Sequence, residues 1–253
     1  MKILLCNDDG IHADGINVLY ETLCGSDELR VVAPHMERSA AGHAITIYDP
    51  IRTMPVEREN GLTGIAVDGT PADCIKLACS FLYKKDPPDL VVSGINLGSN
   101  TGISVLYSGT VSAASEAVVL GIPAIALSLC TWQNPNWETA AKATELVLSK
   151  VRKNPLPQDV LLNVNIPNLP FDEIKGMKAG QMGRSRFIEQ FSEHRDPRGN
   201  LYYWLDGEME LIDDNFETDI RLIEAGYISL TPIHIDLTAH HALDAIREWE
   251  KDF

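Results

Sequence analysis

The residues of this chain that could do chemistry begin at its seventh position. The apolar run Leu4-Leu5-Cys6 gives way at once to Asn7-Asp8-Asp9-Gly10. Two adjacent carboxylates in a dry pocket raise each other's pKa, and a divalent cation relieves that conflict. Asp8 and Asp9 are therefore candidate metal ligands. Oxygen donors recur after later apolar runs: Ser39 in the small-residue loop of PHMERSAAGHA, Asn96 and Asn100 in INLGSNTG, and Ser108-Gly109-Thr110 at the start of a helical pattern. Carboxylate, hydroxyl and amide oxygens are hard ligands that suit Mg²⁺, Mn²⁺ or Ca²⁺ rather than zinc. Ser108-Gly109-Thr110 offers free backbone N–H groups and two hydroxyls at a helix start, which is an anion site aided by the helix dipole. A metal beside an anion pocket, with no basic cluster, reads as metal-assisted hydrolysis of a phosphate ester. Taken singly, each feature has a plain structural reading. Asp-Asp-Gly can be an Asx-capped turn, Ser108 an N-cap, and Asn96 a tight-turn residue. Their coincidence after strands points to a site. Of the histidines near the same edge, His12, His35 and His43, the last is the candidate substrate contact. His194, His234, His240 and His241 read as structural, although an arm could return His194 to a site.

Five segments must position these groups. Residues 2–6, 30–34, 89–94, 124–129 and 160–166 are continuous apolar runs, the pattern of strands covered on both faces. Helical patterns alternate with them over 14–25, 70–85, 108–121 and 136–153. Thr70 is the expected N-cap of the second of these, with Pro71 in its first position. Strand–helix alternation predicts an α/β fold with a doubly wound, mostly parallel sheet, and in such sheets ligands bind beyond the carboxyl ends of the strands. HAITIY and GIAVDG, within 35–69, are expected as extra strands. After Pro170 the chain turns rich in charge, glycine and aromatics, with LYYWLDGE as a strand and turn. GYISLTPIHIDLTAH alternates as a strand, and ALDAIREWEKDF closes as a helix. The division expected is a core over 1–170 and an extended arm with a C-terminal strand and helix over 171–253, an arm of the kind that reaches another subunit.

Composition narrows the partners. A chain of 253 residues with a net charge of −15 has no basic stripe for a nucleic-acid polymer. No apolar run is long enough for a membrane helix, and the apolar start is too short for a signal peptide, so a cytoplasmic location is expected. The five cysteines match no zinc spacing and read as core residues. No G-x-G-x-x-G follows the first strand, which disfavours dinucleotide binding.

NDDGIHADGI, VVAPHMERSAAGHAIT, DGTPADCIKLA, VVSGINLGSNTG, YSGTVSAASEA and GYISLTPIHIDLTAH, in order along nearly the whole chain, resemble the SurE family of stationary-phase survival proteins. The resemblance implies a Rossmann-like domain with a β-hairpin arm and a swapped C-terminal segment, assembled as a homodimer or homotetramer. It implies a 5′/3′-nucleotidase acting on nucleoside monophosphates, with polyphosphate a further substrate of some members. It also implies one divalent metal ion per subunit, Mg²⁺ or Mn²⁺, on Asp8, Asp9, Ser39 and Asn96, and a phosphate pocket of Asn96, Ser108, Gly109 and Thr110. One departure is His35, where many members carry Asp. Asp8 or Asp9 is the expected general base for an attacking water. A phospho-aspartate intermediate is the rival route, disfavoured because the carboxylates are adjacent. The alternatives are a metal-dependent sugar-nucleotide transferase and a non-catalytic nucleotide sensor.

Overall fold

The computed structural model describes residues 1–212 and 215–252. The first strand, β1 (Lys2–Cys6), is followed by helix α1 (Asp14–Leu23) and β2 (Glu28–Pro34). An antiparallel pair, β3 (Thr53–Glu57) and β4 (Thr63–Val67), precedes α2 (Pro71–Leu77), which runs on into a wider turn over Ala78–Leu82. Then come β5 (Leu90–Leu97), α3 (Gly109–Val119), β6 (Ala124–Cys130), α4 (Trp137–Lys153) and β7 (Val160–Pro167). The remainder comprises β8 (Met177–Ala179), β9 (Ser185–Arg195), β10 (Leu201–Leu211), α5 (Asp219–Glu224), β11 (Ile228–His234) and α6 (Leu243–Arg247).

Nine strands form one sheet in the order β3-β4-β2-β1-β5-β6-β7-β11-β8. The neighbours from β4 to β7 are all parallel, and β3 and β11 join antiparallel. The five continuous apolar runs are its central strands, and Ile3, Leu4, Leu5, Val91, Val92 and Ile125 are fully buried. Each large aliphatic buried there contributes about 1.5–3 kcal/mol relative to exposure. Helix α1 packs beside α4 and α2 beside α3, as expected when two pairs cover a doubly wound sheet. Caps fix the helix starts. Thr70 and Asp73 form a capping box on α2, and the Ser108 hydroxyl accepts the Val111 N–H at 3.1 Å on α3.

The structure corrects the expected strand at HAITIY. Residues 43–48 carry no sheet pairing, because polar groups of this stretch are taken by side chains. The Thr46 N–H and hydroxyl both donate to Asp73, at 2.9 and 2.6 Å, and the Thr70 hydroxyl donates to the Ala44 carbonyl at 2.7 Å. The expected closing helix is likewise broken into 3₁₀ turns at His240–Ala242 and Glu248–Asp252 on either side of α6. Cys24 is exposed, unlike Cys6 and Cys74, and all five cysteines are free.

Residues after Pro170 do not form one body. Strands β8 and β11 extend the central sheet, with β11 against β7. The β9–β10 pair stands apart as a separate two-stranded ribbon with eleven paired positions, and Phe191, Tyr203, Trp204 and Leu205 on it are exposed. Among the described residues no helix is long and apolar enough to cross a membrane.

Candidate active site at the sheet switch point

From β1 the chain builds the sheet outward in both directions, through β2 on one side and β5 on the other. That reversal leaves a crevice at the carboxyl ends of β1 and β5, where ligands bind in such sheets. Asp8 and Asp9 follow β1 into this crevice. Asn96 lies near the end of β5, where a bulge between Ser93 and Asn96 shifts the register against β6 and so re-aims the side chain.

Asp8 is only 4 % exposed. Its Oδ1 accepts a hydrogen bond from the Thr110 hydroxyl, and its backbone carbonyl accepts the Arg38 N–H at 2.7 Å. The backbone N–H groups of Gly109 and Thr110 also face the carboxylate. The helix start read as an anion pocket thus holds an anion of the protein itself. Burial raises the Asp8 carboxyl above its ordinary pKa, and these bonds only partly pull it back. Among the described residues Asp9 has no such bond. Burial, the Asp8 charge and Glu37 push its carboxyl up to about 7.

Gly109 is where the helix touches the strand end. A Cβ there would lie 2.7 Å from the Asp8 Cβ and 2.8 Å from its Oδ2. Only glycine lets α3 start this close to the carboxylate.

The remaining sequence candidates fall in two groups. Asn96 is 9 % exposed and donates its amide to the Gly98 carbonyl at 2.8 Å, which turns the amide oxygen away from that bond. Ser39 is exposed, and its hydroxyl donates to Glu37 at 2.7 Å, leaving the oxygen lone pairs available. His43 is bonded to Glu116 at 2.9 Å, and Lys76 holds the other Glu116 oxygen at 2.6 Å. It lines a groove on the flank of α3 with Leu106, Ser112 and Ile235.

Among the described residues no cluster of three or more His, Cys, Asp or Glu could hold a metal. A buried carboxylate and a half-buried one, both with raised pKa values, plus an amide oxygen and a hydroxyl, nevertheless fit a hard divalent ion that takes its other oxygens from solvent or substrate.

Sequence reasoning missed what holds the loop after β5. Asn100 donates its backbone N–H to the Asn165 side chain at 2.8 Å and its own amide to Ser128 at 2.9 Å. Its carbonyl accepts the side-chain amides of Asn163 and Asn165, at 2.7 and 3.1 Å. Asp219, fully buried on α5, accepts the Gly102 N–H at 2.9 Å. The available sign was NVNI, with two amides two residues apart on one face of a buried strand.

A doubly wound α/β sheet with an adjacent acidic pair at its switch point, one member buried and held on a helix start, defines a Rossmann-like protein with an acidic ligand site. The chain belongs to the SurE family: residues 3–189 match the family model described as Survival protein SurE. It is 47% identical over 249 residues to the 5′-nucleotidase SurE of Syntrophobacter fumaroxidans, covering 98% of this chain and 99% of the relative. It is 47% identical over 256 residues to the 5′-nucleotidase SurE of Carboxydothermus hydrogenoformans, covering 99% and 97%. The crystal structure of the SurE protein from Aquifex aeolicus superposes with a TM-score of 0.85 at 39% identity, covering 99% of this chain and all of that one.

Proposed function

We propose that the chain is a metal-dependent nucleotidase that hydrolyses nucleoside 5′- and 3′-monophosphates, and polyphosphate as a further substrate. The observation that carries this is the Asp8–Asp9 pair at the switch point, one carboxylate buried and one half-buried, both with raised pKa values, beside a helix start. The names of its relatives point the same way.

Asp8, Asp9, Ser39 and Asn96 would hold one Mg²⁺ or Mn²⁺. When bound, such an ion neutralises phosphoryl charge and lowers the pKa of water. The chain's own residues do the rest. Thr110 and the α3 start fix the Asp8 carboxylate. Asp8 or Asp9 takes the proton from the attacking water as general base. Ser108, Gly109 and Thr110 line the approach of the phosphoryl group, with Asn96 on its other side. His43, steadied by Glu116, is assigned to substrate contact. The exposed hairpin and the segment after His234 are assigned to contacts within a homodimer or homotetramer, and the reaction to the cytoplasm.

The test is phosphate release from a panel of 5′- and 3′-nucleoside monophosphates and polyphosphate, each with Mg²⁺, with Mn²⁺ and with chelator. Metal-dependent release supports the reading. Tight nucleotide binding without release from the folded protein would replace it with a sensor. Transfer to an acceptor without free phosphate would replace it with a transferase.

A further inference from the structure

The loop that follows β6 carries an aromatic side chain that neither the acidic site nor the core uses. Trp132 is 79 % exposed. A Cβ built on Gly98 would lie 2.4–2.9 Å from the Cζ2, Cη2 and Cε2 atoms of its indole, so the ring edge rests directly on the Gly98 backbone. That same Gly98 donates its N–H to the Leu129 carbonyl at 3.0 Å and accepts the Asn96 amide at 2.8 Å. The indole is thus seated one hydrogen bond from a site residue.

The loop is held by its own polar groups. The Thr131 hydroxyl donates to the Gln133 carbonyl at 2.6 Å and accepts the Gln133 N–H at 3.1 Å. Asn168 accepts the Asn136 N–H at 2.7 Å and donates to the Asn134 carbonyl at 3.2 Å. An indole kept in water by an ordered loop, rather than folded into the core, keeps a large aromatic surface available for a ligand.

Distance gives the ligand. Asp8 follows β1, Asn96 lies near the end of β5 and Trp132 follows β6, and these strands are consecutive neighbours in the sheet. Two strand spacings come to about 10 Å. That is the span of a nucleoside monophosphate from its phosphorus to the far edge of its base. We infer that Trp132 is the stacking platform for the nucleobase, placed to hold the base while the phosphate lies over Asp8 and α3. Stacking uses the π-face that every base has, so the platform accepts both purines and pyrimidines. The inference rests on the nucleotidase reading and adds the residue that separates nucleotides from other phosphate esters.

The experiment compares AMP with ribose 5-phosphate, which keeps the phosphoester and sugar but has no base, in the full-length wild type, Trp132→Ala and Trp132→Phe with Mn²⁺. The expected result is a rise in KM for AMP in Trp132→Ala of at least about fivefold, the low end of what one base–aromatic stack is worth. Its kcat for AMP and both constants for ribose 5-phosphate stay at wild-type values, and Trp132→Phe stays within about twofold for both substrates. An unchanged KM for AMP in Trp132→Ala would overturn the inference. An equal loss on both substrates would also overturn it, since it would make the ring a support for the Gly98 loop. A wild type that releases phosphate from neither substrate would remove the nucleotidase reading itself and the inference with it, an outcome distinct from the other two.

Discussion

Replacing Gly109 with alanine adds one methyl group at the most crowded contact in the site. The new carbon would sit 2.7 Å from the Asp8 Cβ, roughly 0.8 Å inside the contact distance of about 3.5 Å between carbons. Neither side can yield cheaply. Asp8 is pinned by Thr110 and by the Arg38 N–H on its backbone carbonyl, and α3 is fixed by its Ser108 cap. Overpacking of this kind costs about 1–3 kcal/mol, or several degrees of Tm in a chain of this size at roughly 2–4 °C per kcal/mol. The carboxylate must also shift by a large part of an ångström, and misplacement by about 1 Å can cost on the order of 10²-fold in rate. The assay is AMP hydrolysis with Mn²⁺ alongside thermal melting. Gly25→Ala is the control, because a Cβ there meets nothing within 4 Å. The expectation is a loss of kcat near 10²-fold for Gly109→Ala and wild-type behaviour for Gly25→Ala. A Gly109→Ala enzyme within about twofold of wild-type kcat would refute the placement of Asp8 at the reacting centre.

Other outcomes follow from the same contacts. Asp8→Asn should lower turnover by about 10²-fold or more while circular dichroism and Tm stay close to wild type, since the amide oxygen can still accept the Thr110 hydroxyl. Thr110→Val removes that donor from a buried carboxylate and should cost about 1–3 kcal/mol in urea unfolding. Burial works to raise the Asp73 carboxyl, but bonds from Thr46 and Thr70 outweigh it and hold the pKa below its ordinary value. Its contribution to stability is therefore complete above an ordinary carboxylate pKa of about 3.9 and is lost as pH falls through the depressed folded value. Melting of wild type and Asp73→Asn across acid pH should show a Tm gap at pH 6 that closes below about pH 4. Deleting residues 236–253 spares β11 and should move the sedimentation profile toward monomer; an unchanged profile would count against that segment as a subunit contact.

The central sheet was legible because its strands are covered on both faces and spell that out as unbroken apolar runs. The pair Asp8–Asp9 was legible for the opposite reason, two charges where the run should continue. The unpaired stretch at residues 43–48 was not, because HAITIY has the alternation of a strand and the groups that claim its backbone, Thr70 and Asp73, lie 26 and 27 residues further on than the Ala44 and Thr46 they bond. The anion pocket was half legible. Ser108-Gly109-Thr110 marks a helix start, but nothing in the spacing says that Asp8 already occupies it. Strand β3 and the first half of the hairpin escaped notice because their residues are largely exposed and lack an apolar period. A single tryptophan in a loop carries no pattern, and the meaning of Trp132 comes only from Gly98 lying beneath it.

The amides around Asn100 have a bearing on heat. Their hydrogen bonds draw on Ser128 in β6 and on Asn163 and Asn165 in β7, so loosening the loop would leave buried amides of two central strands without partners, at about 1–3 kcal/mol each. Warming therefore disfavours an intermediate in which the sheet persists while the loop after β5 comes loose. Activity and fold should fail within the same few degrees, and a sample cooled from just below that point should return with its full rate.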